Sequence, residues 1–140
     1  MSASYFFWGV NMGKGHIKKI VGRISDDVVE QYKLYDYRGV EIIQALDLYS
    51  HVHKHIREFK SVDSYNNAVL NIDKIIQNPY FVYYEKEKKS LHYFAEVDEF
   101  TCVIVKISLK KNKDTYVSTI YPISKEKIDR YKEKSYIVDE

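Results

Sequence analysis

Four short runs late in the chain constrain the fold most: "YFVYY" from residue 80, "SLHYFAEV" from 90, "TCVIVKISL" from 101 and "TYVSTIY" from 115. Each is rich in Val, Ile, Tyr and Phe and too short for a helix of ordinary length, so each reads as a strand. The connections are "EKEKK", "DEF" and "KKNKD". A parallel pair needs a crossover of about a dozen residues or more, so these neighbours must be antiparallel. The predicted unit is a four-stranded meander.

Helical periodicity precedes it. From Glu41, the residues Ile42, Ala45, Leu46, Tyr49, Val52, Ile56 and Phe59 recur at spacings of three and four, which predicts one long helix or two with a break near Ser50. Ser64 is a candidate cap for the next helix. Its buried stripe is Ala68, Val69, Ile72, Ile75 and Ile76, and "NP" at 78 and 79 stops it. Ser124 caps a terminal helix, with Ile123 and Ile128 as a hydrophobic staple. The predicted class is α+β: helices packed on one face of a four-stranded antiparallel sheet, with a C-terminal helix. The other sheet face is then free for a ligand.

The first 46 residues carry weaker signals. "YFFWGV" and "IKKIVGRI" read as strands, and Ser25 caps a short helix through "DDVVEQYKL". "NMGKGH" is too short for a phosphate-binding loop. The expected organisation is an N-terminal extension or recognition lobe at 1–46 and a core domain at 47–140.

Composition narrows the classes of partner. The formal net charge is only +2, but residues 101–140 hold nine basic against six acidic groups, concentrated in "KISLKKNK" and "SKEKIDRYKEK". A local basic patch binds phosphate even when the total charge is small. The 14 tyrosines suit a core margin, a protein interface or a base-stacking surface. Cys102 is the single cysteine, so no internal disulfide framework is expected. No run reaches membrane-spanning length, and the N-terminus lacks the basic and apolar regions of a signal peptide. A soluble, cytoplasmic protein without membrane association is expected.

"YSHVHKHIREF", residues 49–59, holds three of the five histidines. On a helix His51 and His55 share a face, while His53 points away with Arg57. A zinc site would need a third ligand from His92, His16 or a carboxylate, and the H-E-x-x-H glutamate is missing, so no metal and no cofactor are expected. Acid and base chemistry is the other use of such a pair, because imidazole titrates near neutrality. Alternation in "VSTIYP" puts Val117, Thr119 and Tyr121 on one strand face. Lys106, a charge within a central strand, belongs on the open face with Ile104 and Ser108, while Val103, Val105 and Ile107 pack on the helices. These residue types fit metal-independent RNA cleavage. RNA supplies its own 2′-OH nucleophile, and the protein must move two protons and stabilise charge on the phosphoryl oxygens.

From about Asp47 to Lys134 the sequence resembles the phage-associated nuclease domains grouped with barnase, EndoU, the bacteriocin tRNases and RelE-type toxins. The motifs that carry the resemblance are the histidine-bearing segment, "IIQNPYFVYY", the strand-turn-strand unit, "VIVKI" and "VSTIYP". The resemblance implies an RNA-cleaving α+β domain, a toxin or phage-encoded effector. It implies a catalytic histidine at His51 or His55 with Lys54 or Arg57 nearby, and a terminal-strand motif at Thr119 and Tyr121 followed by Pro122. Residues 1–46 do not align with it.

The expected function is therefore an endoribonuclease that leaves a 2′,3′-cyclic phosphate. Its catalytic set is His51, His55, Thr119 and Tyr121, and Lys54, Arg57, Lys106 and Ser118 bind phosphate. Its partners are RNA (tRNA or mRNA) and a cognate inhibitor or host protein, with the chain a monomer or homodimer. The alternative is a non-enzymatic module on the same scaffold that binds and inhibits a host factor.

Overall fold

In a computed structural model, the structure describes residues 4–7, 17–45, 48, 53–108 and 114–137. Strands β1 (Ser4–Phe7), β2 (Ile17–Arg23) and β3 (Glu41–Ala45) come first, with helix α1 (Asp26–Tyr32) between β2 and β3. A 3₁₀ segment, His53–Glu58, leads into α2 (Val62–Leu70) and α3 (Ile72–Gln77). Strands β4 (Phe81–Glu85), β5 (Ser90–Glu96), β6 (Phe100–Lys106) and β7 (Thr115–Pro122) follow, and α4 (Lys125–Ile137) ends the described chain.

The meander β4-β5-β6-β7 forms as predicted, but it is one part of a larger sheet. Among the described residues seven strands join in the order β1-β2-β3-β7-β6-β5-β4. The sheet is mixed, because β3 lies parallel to β7 with Ile42 opposite Thr115 and Ile43 opposite Tyr116. The four-stranded antiparallel expectation fails at this edge. Residues 41–45 read as helical because Ile42 and Ala45 are three apart. In the fold Ile42, Ile43 and Gln44 are all buried, although successive residues of a strand point to opposite faces. A strand buried on both faces loses the period-two signature. Residues 17–45 thus enter the same sheet as β4–β7, across the boundary expected at residue 46.

One sheet face packs against α2 and α3. Val103, Val105 and Ile107 lie on it with Ala68, Val69, Ile72, Ile75 and Ile76, so the predicted helix stripe is the buried one. Gly22 in β2 allows close approach: a Cβ there would sit 2.7 Å from Ile76 Cγ2. The cap of α2 is Ser61 rather than Ser64. Ser61 Oγ accepts from the Ser64 N–H at 3.0 Å, and the Ser64 hydroxyl donates to Glu99 Oε2 at 2.8 Å. Ser25 caps α1 as expected, accepting from the Val28 N–H at 3.3 Å.

The opposite face is only partly free. Helix α4 lies over it, with Ile128 fully buried among Phe94, Cys102 and Ile104 and with Ile123 and Tyr131 packed alongside. Ser124 Oγ accepts from the Lys127 N–H at 3.2 Å, so the cap and staple form as the sequence predicts. The expectation that the two helices before the meander cover one face holds for α2 and α3, and the expectation of a free opposite face fails where α4 covers it. The apolar residues of α4 are few, and a short stripe suffices to seal one end of a face.

Candidate active site

The helix expected from Glu41, continuous or broken near Ser50, does not run through the described residues of that span, where only Leu48 is α-helical. Residues 46–47 and 49–52 lie outside the described residues. The first part of the span is β3, and His55 sits in the 3₁₀ segment His53–Glu58. Strand β3 pairs with only the first part of β7, and the 3₁₀ segment packs against β7 further on. That places the His55 ring 6.0 Å from the Tyr121 ring, centroid to centroid, at an interplanar angle of 45°. The His55 side chain is 21% exposed, and its Nδ1 lies 2.6 Å from Glu58 Oε2. A carboxylate on Nδ1 orients the ring and leaves Nε2 to face a ligand.

A bulge in β7 aims the remaining groups. Ile104 pairs with Thr119, but Val105 pairs with Val117, so Ser118 is the extra residue. Simple alternation would place Val117 with Thr119. The bulge instead turns Val117 into the helix-covered core and leaves Tyr116, Thr119 and Tyr121 on the other face, opposite Lys106, Ile104 and Cys102. A bulge re-aims side chains in this way. The Thr119 Oγ1 is buried and has no hydrogen-bond partner among the described residues. An unpaired buried hydroxyl is costly, and such groups call for a functional or solvent explanation.

Lys54 and Arg57 are exposed on the 3₁₀ segment beside His55. Lys106 lies on the Thr119 side of the sheet, with its Nζ 3.5 Å from the Lys88 carbonyl oxygen. Ser118 is half-buried at the bulge. His51 lies outside the described residues. The structure thus brings together His55 and Tyr121, with Thr119 two residues away on the same strand, and sets Lys106 further along the face.

Sequence reasoning missed a second histidine on this face. His92 in β5 pairs with Ile104 and is 6% exposed. Its Nε2 lies 3.2 Å from Glu85 Oε1, and its Nδ1 is 4.0 Å from Cys102 Sγ. Burial holds the imidazole below its ordinary pKa. The Glu85 carboxylate pulls upward, and Lys106 and Lys88 add to the lowering. The ring is therefore neutral near pH 7, and its contact with Glu85 is a hydrogen bond donated by Nε2. Cys102 is pushed up to about 12 by burial, so it stays a thiol. Tyr121 is likewise raised, first by burial, and donates to the Cys102 sulfur.

With His92 as the Nε2–H tautomer, assigned from these partners, one polar chain runs Tyr121–Cys102–His92–Glu85 across the sheet. Tyr131 of α4 covers it, 5.5 Å from the His92 ring. The clue was available in "SLHYFAEV": alternation puts His92 on the face of Phe94, opposite Leu91 and Tyr93.

The protein is an α+β domain whose sheet buries one face under α2 and α3 and carries His92, Thr119, Tyr121 and Lys106 on the other. The chain belongs to the PBECR3 family, phage-Barnase-EndoU-ColicinE5/D-RelE like nuclease3, whose model matches residues 18–130. The match begins in β2 and ends in α4, so it takes in β2, β3 and the meander and leaves out β1. Neither a curated protein nor a solved structure matches the chain. Membership in a nuclease-like family indicates nucleic acid as the substrate class. Among the described residues no helix is long and apolar enough to cross a membrane.

Proposed function

We propose that this chain is a metal-independent endoribonuclease, encoded by a phage or mobile element as a toxin or effector. The observation that carries the reading is the approach of the His55 imidazole to Tyr121 beside the Thr119 hydroxyl, unpartnered among the described residues. In the proposed reaction His55 Nε2 takes the proton from the ribose 2′-OH. The 2′-oxygen bonds to the adjacent phosphorus, and the bond from phosphorus to the 5′-oxygen breaks. Tyr121, kept protonated by burial, gives its proton to the departing 5′-oxygen. The products are a 2′,3′-cyclic phosphate and a free 5′-OH. Thr119 donates to a phosphoryl oxygen, and Lys54, Arg57, Lys106 and Ser118 hold the phosphates on either side. His51 is the alternative to His55 as the proton-moving histidine. Residues 1–46 serve as a recognition element, and tRNA or mRNA is the RNA cut.

The test is incubation of purified protein with total RNA in EDTA, followed by mapping of the product ends. Cleavage that leaves cyclic phosphates and is lost in His55→Ala supports the proposal. Intact tRNA, mRNA and ribosome-bound RNA would sink it and favour a binding module that inhibits a host factor.

A further inference from the structure

A cavity of about 600 Å³ opens beside β7, lined among the described residues by Lys18, Ile43, Ala45, Lys106, Asp114 and Tyr116. Its volume falls in the range of small-molecule sites. Lys18, Ile43, Ala45, Lys106 and Tyr116 come from neighbouring strands, and Ile107 and Val117 of the helix-covered side reach the same cavity. Tyr116 is the cross-strand partner of both Lys106 and Ile43, and Ala45 is the partner of Lys18. Lys106 and Tyr116 lie on the face that carries Thr119 and Tyr121. The strand rise along the partner positions Lys106, Ile104 and Cys102 places Tyr116 roughly 7 Å from Thr119 and roughly 14 Å from Tyr121.

The lining divides by chemistry. Ile43 and Ala45 are aliphatic, and Tyr116 is 46% exposed. Lys18 Nζ is held by Asp114 Oδ2 at 2.8 Å, which places a paired donor and acceptor at the wall. Lys106 makes no ion pair among the described residues, and its Nζ is 3.5 Å from the Lys88 carbonyl oxygen. An exposed phenol over an aliphatic floor suits the flat face of a nucleobase, and an ammonium group without a carboxylate partner suits a phosphate.

We infer that this cavity is a nucleotide subsite for single-stranded RNA: Tyr116 stacks one unpaired base, and Lys106 holds the phosphate between that base and the cleavage centre. The inference rests on the ribonuclease reading and extends it to substrate form. A base inside a duplex presents only its edge, so the subsite takes a base that has left the stack.

The experiment measures binding separately from cutting. A short fluorescein-labelled 2′-O-methyl RNA has no free 2′-OH and cannot be cleaved, so its anisotropy with the full chain reports affinity alone. Base–aromatic stacking predicts an affinity loss of about five-fold to a hundred-fold in Tyr116→Ala and near wild-type binding in Tyr116→Phe. Lys106→Ala is expected to weaken binding and to flatten its salt dependence. Duplex RNA of the same sequence is expected to compete poorly.

Equal affinity in wild type and Tyr116→Ala would overturn the subsite, as would equal losses in the Ala and Phe variants or full competition by duplex. Inorganic phosphate competing as well as the oligonucleotide would reduce the cavity to an anion site and overturn it too. Tyr116-dependent binding in a protein that cuts no RNA would leave the subsite standing while the catalytic reading falls. Cutting with unchanged affinity and KM in Tyr116→Ala would do the reverse.

Discussion

His55 and Tyr121 face each other across the junction between the 3₁₀ segment and β7, their ring centroids 6.0 Å apart. His55 reaches that position because β3 stops short and leaves the later part of β7 to a different neighbour. Replacing His55 by Ala is expected to lower kcat for RNA cleavage by about 10²–10⁴-fold, the usual share of a general acid or base. Glu58→Gln keeps the side-chain shape and removes the charge at Nδ1, so a smaller fall in kcat with unchanged KM is expected. Steady-state kinetics on a defined RNA checks both. Full activity in His55→Ala would remove this residue from the mechanism.

Thr119 offers a separation of stability from activity. Its hydroxyl is buried without a partner among the described residues. Thr119→Val fills the same volume and deletes the unpaired group, so unfolding stability should hold or rise, by about 1 kcal/mol. Cleavage should fall in the same variant. Urea unfolding and an activity assay read the two effects, and a loss of stability of that size would show that the hydroxyl has a structural partner after all.

His92 makes stability depend on pH. Its folded pKa is lowered, chiefly by burial, in a setting that includes Glu85, Lys88, Lys106, Cys102, Tyr83 and Tyr131. Below an ordinary pKa of about 6.5 the unfolded chain gains a proton at this imidazole that the folded chain does not. The contribution is therefore full above about pH 6.5 and declines as pH falls below it. His92→Gln should show a shallower loss of Tm between about pH 7 and pH 5 than the wild type. Identical slopes would mean that the buried ring is charged in the fold.

Gly22 tests the packing of β2 against α3. A Cβ at this position meets Ile76 Cγ2 at 2.7 Å, and Ile76 is 4% exposed in the core. Gly22→Ala should cost about 1–3 kcal/mol by overpacking. Adding Ile76→Leu removes the offending methyl group and should recover part of that loss. Denaturant midpoints of the single and double variants measure the coupling, and additive losses would rule out the clash.

The sequence by itself determined the local units of this protein. Short connections force β4 to β7 into an antiparallel meander, and the period-two pattern places Val103, Val105 and Ile107 against the helices. Ser25 and Ser124 mark their helix starts through side-chain capping that involves only near neighbours. Family motifs in the same stretch pointed to a nuclease-like fold, which the match over residues 18–130 bears out.

Only the tertiary structure decided the rest. Periodicity reports burial on one face, so it failed at Ile42, Ile43 and Gln44, where successive residues are all buried. The parallel pairing of β3 with β7 links residues far apart in the chain and has no local signature. The bulge at Ser118 reversed the face expected for Val117 and left Thr119 with Tyr121. The chain from Tyr121 through Cys102 and His92 to Glu85 joins four strands under α4. Each of these depends on which surfaces meet after folding, and side-chain patterning within one segment carries no record of its distant neighbour.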